Sequence, residues 1–269
     1  MAVSLEIRHG TPWWESTDIW TVPEADPSGP PGQPVAGQPC YVWAHVRNTG
    51  NTSVQNATVN FYWANPSLGF DRTTATHIGT SYVSLGAPDE SDVLCLTAWI
   101  PAFVNGGHEC LLVEAFHPSL DPLPAGNAFH ADADRHVAQR NLSVLAMSGS
   151  NMFSFPFEVH NPIRIGREFT IRVRSAPLAE LQATARHLGI QPPKHEGKLA
   201  EFAYFHEPCP RHEGHLANHH ETRIKVAPGG RTGLSIVGRI AGEAALLYIE
   251  QLHGGSVVGG LSVFVAECR

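Results

Sequence analysis

Residues 40–66 read CYVWAHVRNTGNTSVQNATVNFYWANP, and their periodicity decides the fold class. Cys40, Val42, Ala44 and Val46 alternate with Tyr41, Trp43, His45 and Arg47. Successive side chains of a strand point to opposite faces, so period two marks a strand with one buried face. Asn48-Thr49-Gly50-Asn51 ends it in turn residues. The next run, Ala57 to Ala64, sets Val59, Phe61 and Trp63 on one face, and Asn65-Pro66 stops it. This parity predicts a buried Trp63 beside Val59 and Phe61.

Outward from this pair the same signals recur. Before it, Pro23 to Pro39 reads as a loop; after it, strands are expected at 77–85, 92–99, 109–116 and 136–145. Gly86-Ala87-Pro88 and Asn105-Gly106-Gly107 mark turns between them. Around Ala146 to Asn151 the composition becomes small and polar, which sets the expected boundary: one β-sandwich over 1–147 and a second over 148–269. In the second half, strands are expected at 153–159, 168–174, 199–205, 222–226, 233–240, 244–251 and 257–265. Leu178, Leu181, Ala185 and Leu188 lie at helical spacing, with Pro177 early and Gly189 at the end, giving one short helix over about 176–188. His253-Gly254-Gly255-Ser256 is a strong hairpin signal, although GGSVVGGL (254–261) also reads as a surface offered to another subunit. The expected fold is all-β, two tandem β-sandwiches with a helical insertion in the second.

Composition narrows the function. The chain has 269 residues, 42% hydrophobic and 16% charged, and a formal charge of −7. It has no clustered Lys and Arg, so no nucleic-acid surface is expected. No apolar stretch approaches the roughly 20 residues that span a bilayer, so no membrane insertion is expected. The N-terminal MAVSLEIRHGTPWWE lacks the basic start and apolar core of a secretory signal. The expected location is cytoplasmic, with export by a signal-less route left open. The cysteines number five, widely spread and without a CxxC pair, which fits a reducing compartment.

Gly37-Gln38-Pro39 followed by YVWAHVRNTGNTSVQNATVNFYWANP resembles the bacterial immunoglobulin-like domains of the CARDB type, the cell-adhesion-related domains. In these, one strand ends in V-N-x-G and a second carries A-x-V-x-x-Y. GHECLL (107–112) and DRHVAQRNLSV (134–144) are similar to the last two strands of related bacterial sandwich domains. The resemblance covers about residues 18–145 and implies an immunoglobulin-like sandwich. Such modules serve as spacers, adhesins and docking domains, so the resemblance implies a fold rather than a partner. The immunoglobulin order of Cys, Trp and Cys is present as Cys40, Trp63 and Cys110. Leu111, Val113 and Ala115 form the cleaner inward set on the later strand, so Cys40 and Cys110 read as buried thiols.

Three groups carry candidate chemistry. FHEPCPRHEGHLANHHE crowds His206, Cys209, His212 and His215, then His219 and His220, into one loop. Imidazole and thiolate are ligands that Zn²⁺ prefers, and the spacing allows several to converge. It matches no established zinc motif, Pro208 and Pro210 restrict how the loop wraps, and a solvated polar loop explains the same residues. No resident cofactor is expected, zinc being the ion such a loop would take. Asp121, Asp132 and Asp134 form an acidic stretch of the kind that holds Ca²⁺ in some sandwich loops, diluted here by His130, Arg135 and His136. Trp13, Trp14 and Trp20 are binding candidates, because exposed Trp is common at interface hot spots and stacks on sugars. Packing of Trp14 and Trp20 on the sandwich flank is the competing reading.

The sequence holds no GxSxG, HExxH, GxxxxGK[ST] or GxGxxG-after-strand motif. The expectation is therefore a non-catalytic binding or structural module, not an enzyme, that self-associates or docks on a protein partner in a larger assembly. A carbohydrate- or cell-surface-binding adhesin using the tryptophans is the alternative. A metal-dependent enzyme centred on the His-rich loop is a further one.

Overall fold

The alternating run of residues 40–48 forms a strand in the computed structural model, which describes residues 2–65, 67, 69–102, 109–142, 144–147, 152–187, 190–206 and 221–267. In chain order the strands are β1 (Leu5–Glu6), β2 (Ile19–Pro23), β3 (Cys40–Asn48), β4 (Val54–Ala64), β5 (Thr76–Leu85), β6 (Asp89–Leu94), β7 (Glu109–Phe116) and β8 (Val137–Leu142). There follow β9 (Val144–Met147), β10 (Met152–His160), β11 (Arg167–Ser175), helix α1 (Leu178–His187), β12 (Lys198–His206), β13 (Glu221–Val226), β14 (Arg231–Ala241), β15 (Ala244–His253) and β16 (Ser256–Glu267).

The chain divides into two compact units, one built mainly on residues up to Arg140, the other on residues from Asn141 onward together with Asn65–Phe70. In the first, β3 is the spine of one sheet, pairing with β1, β2 and β6, while the second sheet runs β5-β4-β7-β8. Cys40, Val42, Ala44 and Val46 on β3 are buried, as are Ala57, Val59 and Phe61 on β4 and Leu111, Val113 and Ala115 on β7. These inward rows form the core of an antiparallel sandwich. The register sets Val59 opposite Ala115 and Phe61 opposite Val113. All of Glu109–Ala115 is buried, because β7 is an inner strand with both faces covered. Cys40, Cys95 and Cys110 are buried thiols.

Trp63 departs from expectation. It keeps the inward register, opposite Leu111, but is only half buried. It stands one residue from the end of β4, where fewer neighbours remain to close over a large ring.

The second unit packs a three-stranded sheet, β10-β14-β12, with a five-stranded one, β13-β11-β15-β16-β9. Phe153, Phe155 and Phe157 of β10 and Phe169, Ile171 and Val173 of β11 alternate inward. Leu181 and Ala185 are the buried residues of α1's apolar stripe. Gly254 and Gly255 both have positive φ (59° and 86°), the left-handed geometry that a two-residue type I′ hairpin demands between β15 and β16. The structure draws the division between units earlier than the 147/148 boundary expected from composition. Val144–Met147, which overlaps the start of the small, polar stretch 146–151, forms β9 and pairs in parallel with β16.

Candidate binding surface

The two sheets of the first unit have four edges; the one shared by β1 and β2 is met by the Pro-rich loop, whose Gly32 amide donates to the Thr21 carbonyl at 2.9 Å, and those bounded by β8, β6 and β5 differ in chemistry. The β8 edge is closed by the N-terminal segment. Glu15 bridges Arg140 across the backbone, and the Ser16 amide donates to the Gln139 carbonyl at 2.9 Å. The buried Arg140 guanidinium, through Nη1, donates to the carbonyls of Ser16 at 3.0 Å and Ile19 at 2.7 Å. The β6 edge carries Asp89, Glu90 and Asp92 within six residues. Charged side chains of this kind are a usual protection against edge pairing.

The β5 edge has neither device. Its ten residues, THIGTSYVSL, hold no Asp, Glu, Lys, Arg or Pro. One side of β5 pairs with β4, and no backbone hydrogen bond to the other side is found among the described residues. Gly79 lies against the interior, where a Cβ would come within 2.8 Å of Thr97 Oγ1 and 2.9 Å of Cys95 Sγ. Tyr82 points the other way and is 67% exposed.

The three sequence-selected tryptophans separate. Trp14 is 2% exposed and stands edge-on to Trp13, centroids 5.1 Å apart. It offers no face to a ligand. Trp20 and Trp43, opposite each other on β2 and β3, stack at 6.0 Å with 5° between planes and are half buried. Trp43 Nε1 donates to the Pro27 carbonyl at 3.1 Å, fastening the Pro-rich loop to this face. His45 and Arg47 continue the same outward row beyond Trp43. His45 contacts Asp92 and Glu90, and Arg47 pairs with Asp18 and Glu90.

The acidic stretch does not converge on a cation site, because an arginine occupies the place. Arg135 Nη2 reaches Asp121 Oδ1 at 2.6 Å, and Arg135 Nη1 donates to the Leu5 carbonyl at 2.8 Å. The Leu5 amide donates to Asp121 Oδ2 at 2.6 Å, so this ion pair holds β1 in place. His136 bridges Asp121 at 3.2 Å and Asp134 at 2.7 Å, while Asp132 is exposed. Burial pushes the Asp121 carboxyl up, but Arg135, the Leu5 amide and His136 outweigh it and hold the group below the usual carboxylate range. A lowered native value stabilises the fold above the unfolded-state value near 3.9, and the contribution is lost as pH falls through the native value. Asp121→Asn is therefore expected to cost about 1.5–3 kcal/mol at neutral pH and less near pH 3, where the unfolded carboxyl is largely protonated. Urea denaturation of both proteins at the two pH values checks this; an equal cost at both would rule out the ion pair as its source.

Two inner-strand carboxylates are likewise committed to structure. Glu114 of β7 is 2% exposed and accepts from Tyr62 Oη at 2.9 Å, Asn60 Nδ2 at 3.1 Å and Arg72 Nε at 2.8 Å. In the second unit both oxygens of the buried Glu250 are taken by Arg172 and Arg174, each through Nε at 2.8 Å. Arg174 also lies over the ring of Tyr248, whose hydroxyl donates to Glu180.

Of the His-rich loop, only His206 falls on a described strand, at the end of β12 with its backbone opposite Leu234. Cys209, His212 and His215 lie outside the described residues. Among the described residues no three His, Cys, Asp or Glu side chains gather as metal ligands. Sequence reasoning missed the β5 edge as a surface, although its signal, ten residues without a charge or proline, is in the sequence.

No family model matches the sequence, and no curated protein matches it either. Among solved structures, the chain is similar to the CARDB domain of a Pyrococcus furiosus protein, described in complex with di-metal ions. Identity is 15%, coverage 54% of this chain and 90% of that one, and the TM-score 0.32. The domain type is the one residues 18–145 resemble. The N-terminal domain of PorA is similar at 8% identity, covering 46% of this chain and 83% of that one, TM-score 0.27. Red sea bream transglutaminase is similar at 13% identity over 95% of this chain and 32% of its own, TM-score 0.25. Likeness at this level concerns strand arrangement and carries no site across.

Proposed function

We propose that this chain is a non-catalytic binding and assembly module that takes a polypeptide strand on the open edge of β5. The observation that carries the reading is the contrast between edges among the described residues: β8 covered by its own N-terminal segment, β6 charged, β5 bare and uncharged. Strand addition uses backbone hydrogen bonds for affinity and alternate side chains for specificity, and β5 supplies both. A random-peptide display selection against the immobilised full chain tests it. The expected winners are extended sequences whose binding is lost on Tyr82→Lys, which puts a charge on the edge without touching the core. Winners that bind Tyr82→Lys as tightly as the parent would defeat the reading.

A second reading, saccharide binding, is favoured by one feature. The half-buried Trp20–Trp43 stack lies in the same outward row as His45, whose contacts Asp92 and Glu90 add polar groups. Apolar ring faces beside hydrogen-bonding groups suit the two faces of a sugar. Glycan-array binding that disappears with Trp20→Ala supports it; an array without signal removes it.

A further inference from the structure

We infer that the strand β5 takes is β5 of a second copy of this chain, paired antiparallel across a two-fold axis. This rests on the edge reading above and names its occupant. Symmetric contacts between identical chains are the commonest form of oligomer, and an isologous interface sets each residue against its own kind. Each copy carries a formal charge of −7, so carboxylates set against carboxylates would oppose the meeting of two copies. Pairing through β6 would bring Asp89, Glu90 and Asp92 of one copy against the same residues of the other. Like charges directly opposite are destabilising. The β8 edge is already occupied by Glu15 and Ser16. β5 against β5 opposes no charge to any charge.

The geometry suits this pairing. Ten residues of strand extend roughly 33 Å, at about 3.3 Å per residue. Two antiparallel copies turn two four-stranded sheets into one continuous sheet. Thr80 and Tyr82 stand opposite Asn60 and Thr58 of β4, on the face away from the core. A two-fold axis normal to the sheet keeps that face continuous, so Tyr82 meets Thr80 or Tyr82 of the second copy. An exposed tyrosine supplies rigid contact area at low entropic cost.

Sedimentation velocity across a concentration series tests the inference on the full chain. The expected species has twice the 29.2 kDa chain mass. Tyr82→Lys, alone and with Thr76→Lys, is expected to raise the dimer Kd at least tenfold while circular dichroism stays unchanged, since both residues are exposed. The β6 substitution Glu90→Gln should leave the dimer intact. Hydrogen–deuterium exchange of the unmodified chain provides a readout independent of any variant: residues 76–85 should slow as concentration rises. A chain that stays monomeric to about 100 μM, or a dimer that survives Tyr82→Lys/Thr76→Lys, overturns the inference. A monomer whose β5 edge still captures displayed strands sinks only the second copy; a monomer that captures none sinks the edge reading too.

Discussion

Replacing Trp14 by alanine is expected to destabilise the first unit by about 3–5 kcal/mol, the usual cost of deleting a large core aromatic. The residue lies outside every long strand, in a lead segment whose sequence fits either exposure or packing on the sandwich flank. Yet it is 2% exposed and braced by Trp13. The next residues, Glu15 and Ser16, extend the β5-β4-β7-β8 sheet by bridging β8. Removing the indole would leave a cavity beneath a segment that also covers the carbonyls held by Arg140. Chemical denaturation followed by tryptophan fluorescence and circular dichroism gives the value. Trp20→Ala, at a half-buried outer position, should cost distinctly less. Equal costs, or a Trp14→Ala penalty under about 1 kcal/mol, would mean the lead segment adds little to the core.

Arg72→Ala is expected to cost a similar 3–5 kcal/mol, by an electrostatic route. Arg72 joins Glu114 through Nε at 2.8 Å and Nη2 at 2.7 Å, donates to the carbonyls of Gly126 and Ala128, and lies 4.7 Å over the Phe129 ring. Without it a buried carboxylate keeps, among the described residues, the neutral donors Tyr62 and Asn60. Burial and the Glu114 charge push the Tyr62 hydroxyl well up, so it remains a donor and cannot replace the lost cation. Glu114→Gln in the Arg72→Ala background removes the stranded charge and should recover part of the loss. A double-mutant cycle reads the coupling directly. Additive effects would show that solvent, rather than Arg72, balances Glu114.

Much of the fold was legible in the sequence because strand periodicity is local. β3 and β4 follow from residues two apart, and the β15–β16 hairpin from two glycines that accept positive φ. The short helix was legible for the same reason, from apolar residues three and four apart. β1 and β9 were not, since strands of two and four residues carry too few alternations to stand out. β9 is moreover set by a parallel partner, β16, more than a hundred residues away.

For the candidate surface the sequence determined the ingredients: an uncharged β5, an acidic β6, a tryptophan-rich lead and an acidic stretch from Asp121 to Asp134. Their roles were decided only in three dimensions. Trp14 became core while Trp20 stayed half buried on an outer face, because only the lead beside Trp14 folds onto β8. Asp121 became the anchor of β1 rather than a cation ligand, because Arg135 and the Leu5 amide reach it first. Among the described residues, which edge stays open and uncharged was likewise decided by what covers or charges the others. Periodicity fixes which way a side chain faces, since that depends on neighbours along the chain. Which charges are neutralised and which edge is left unpaired depend on residues brought together from far apart.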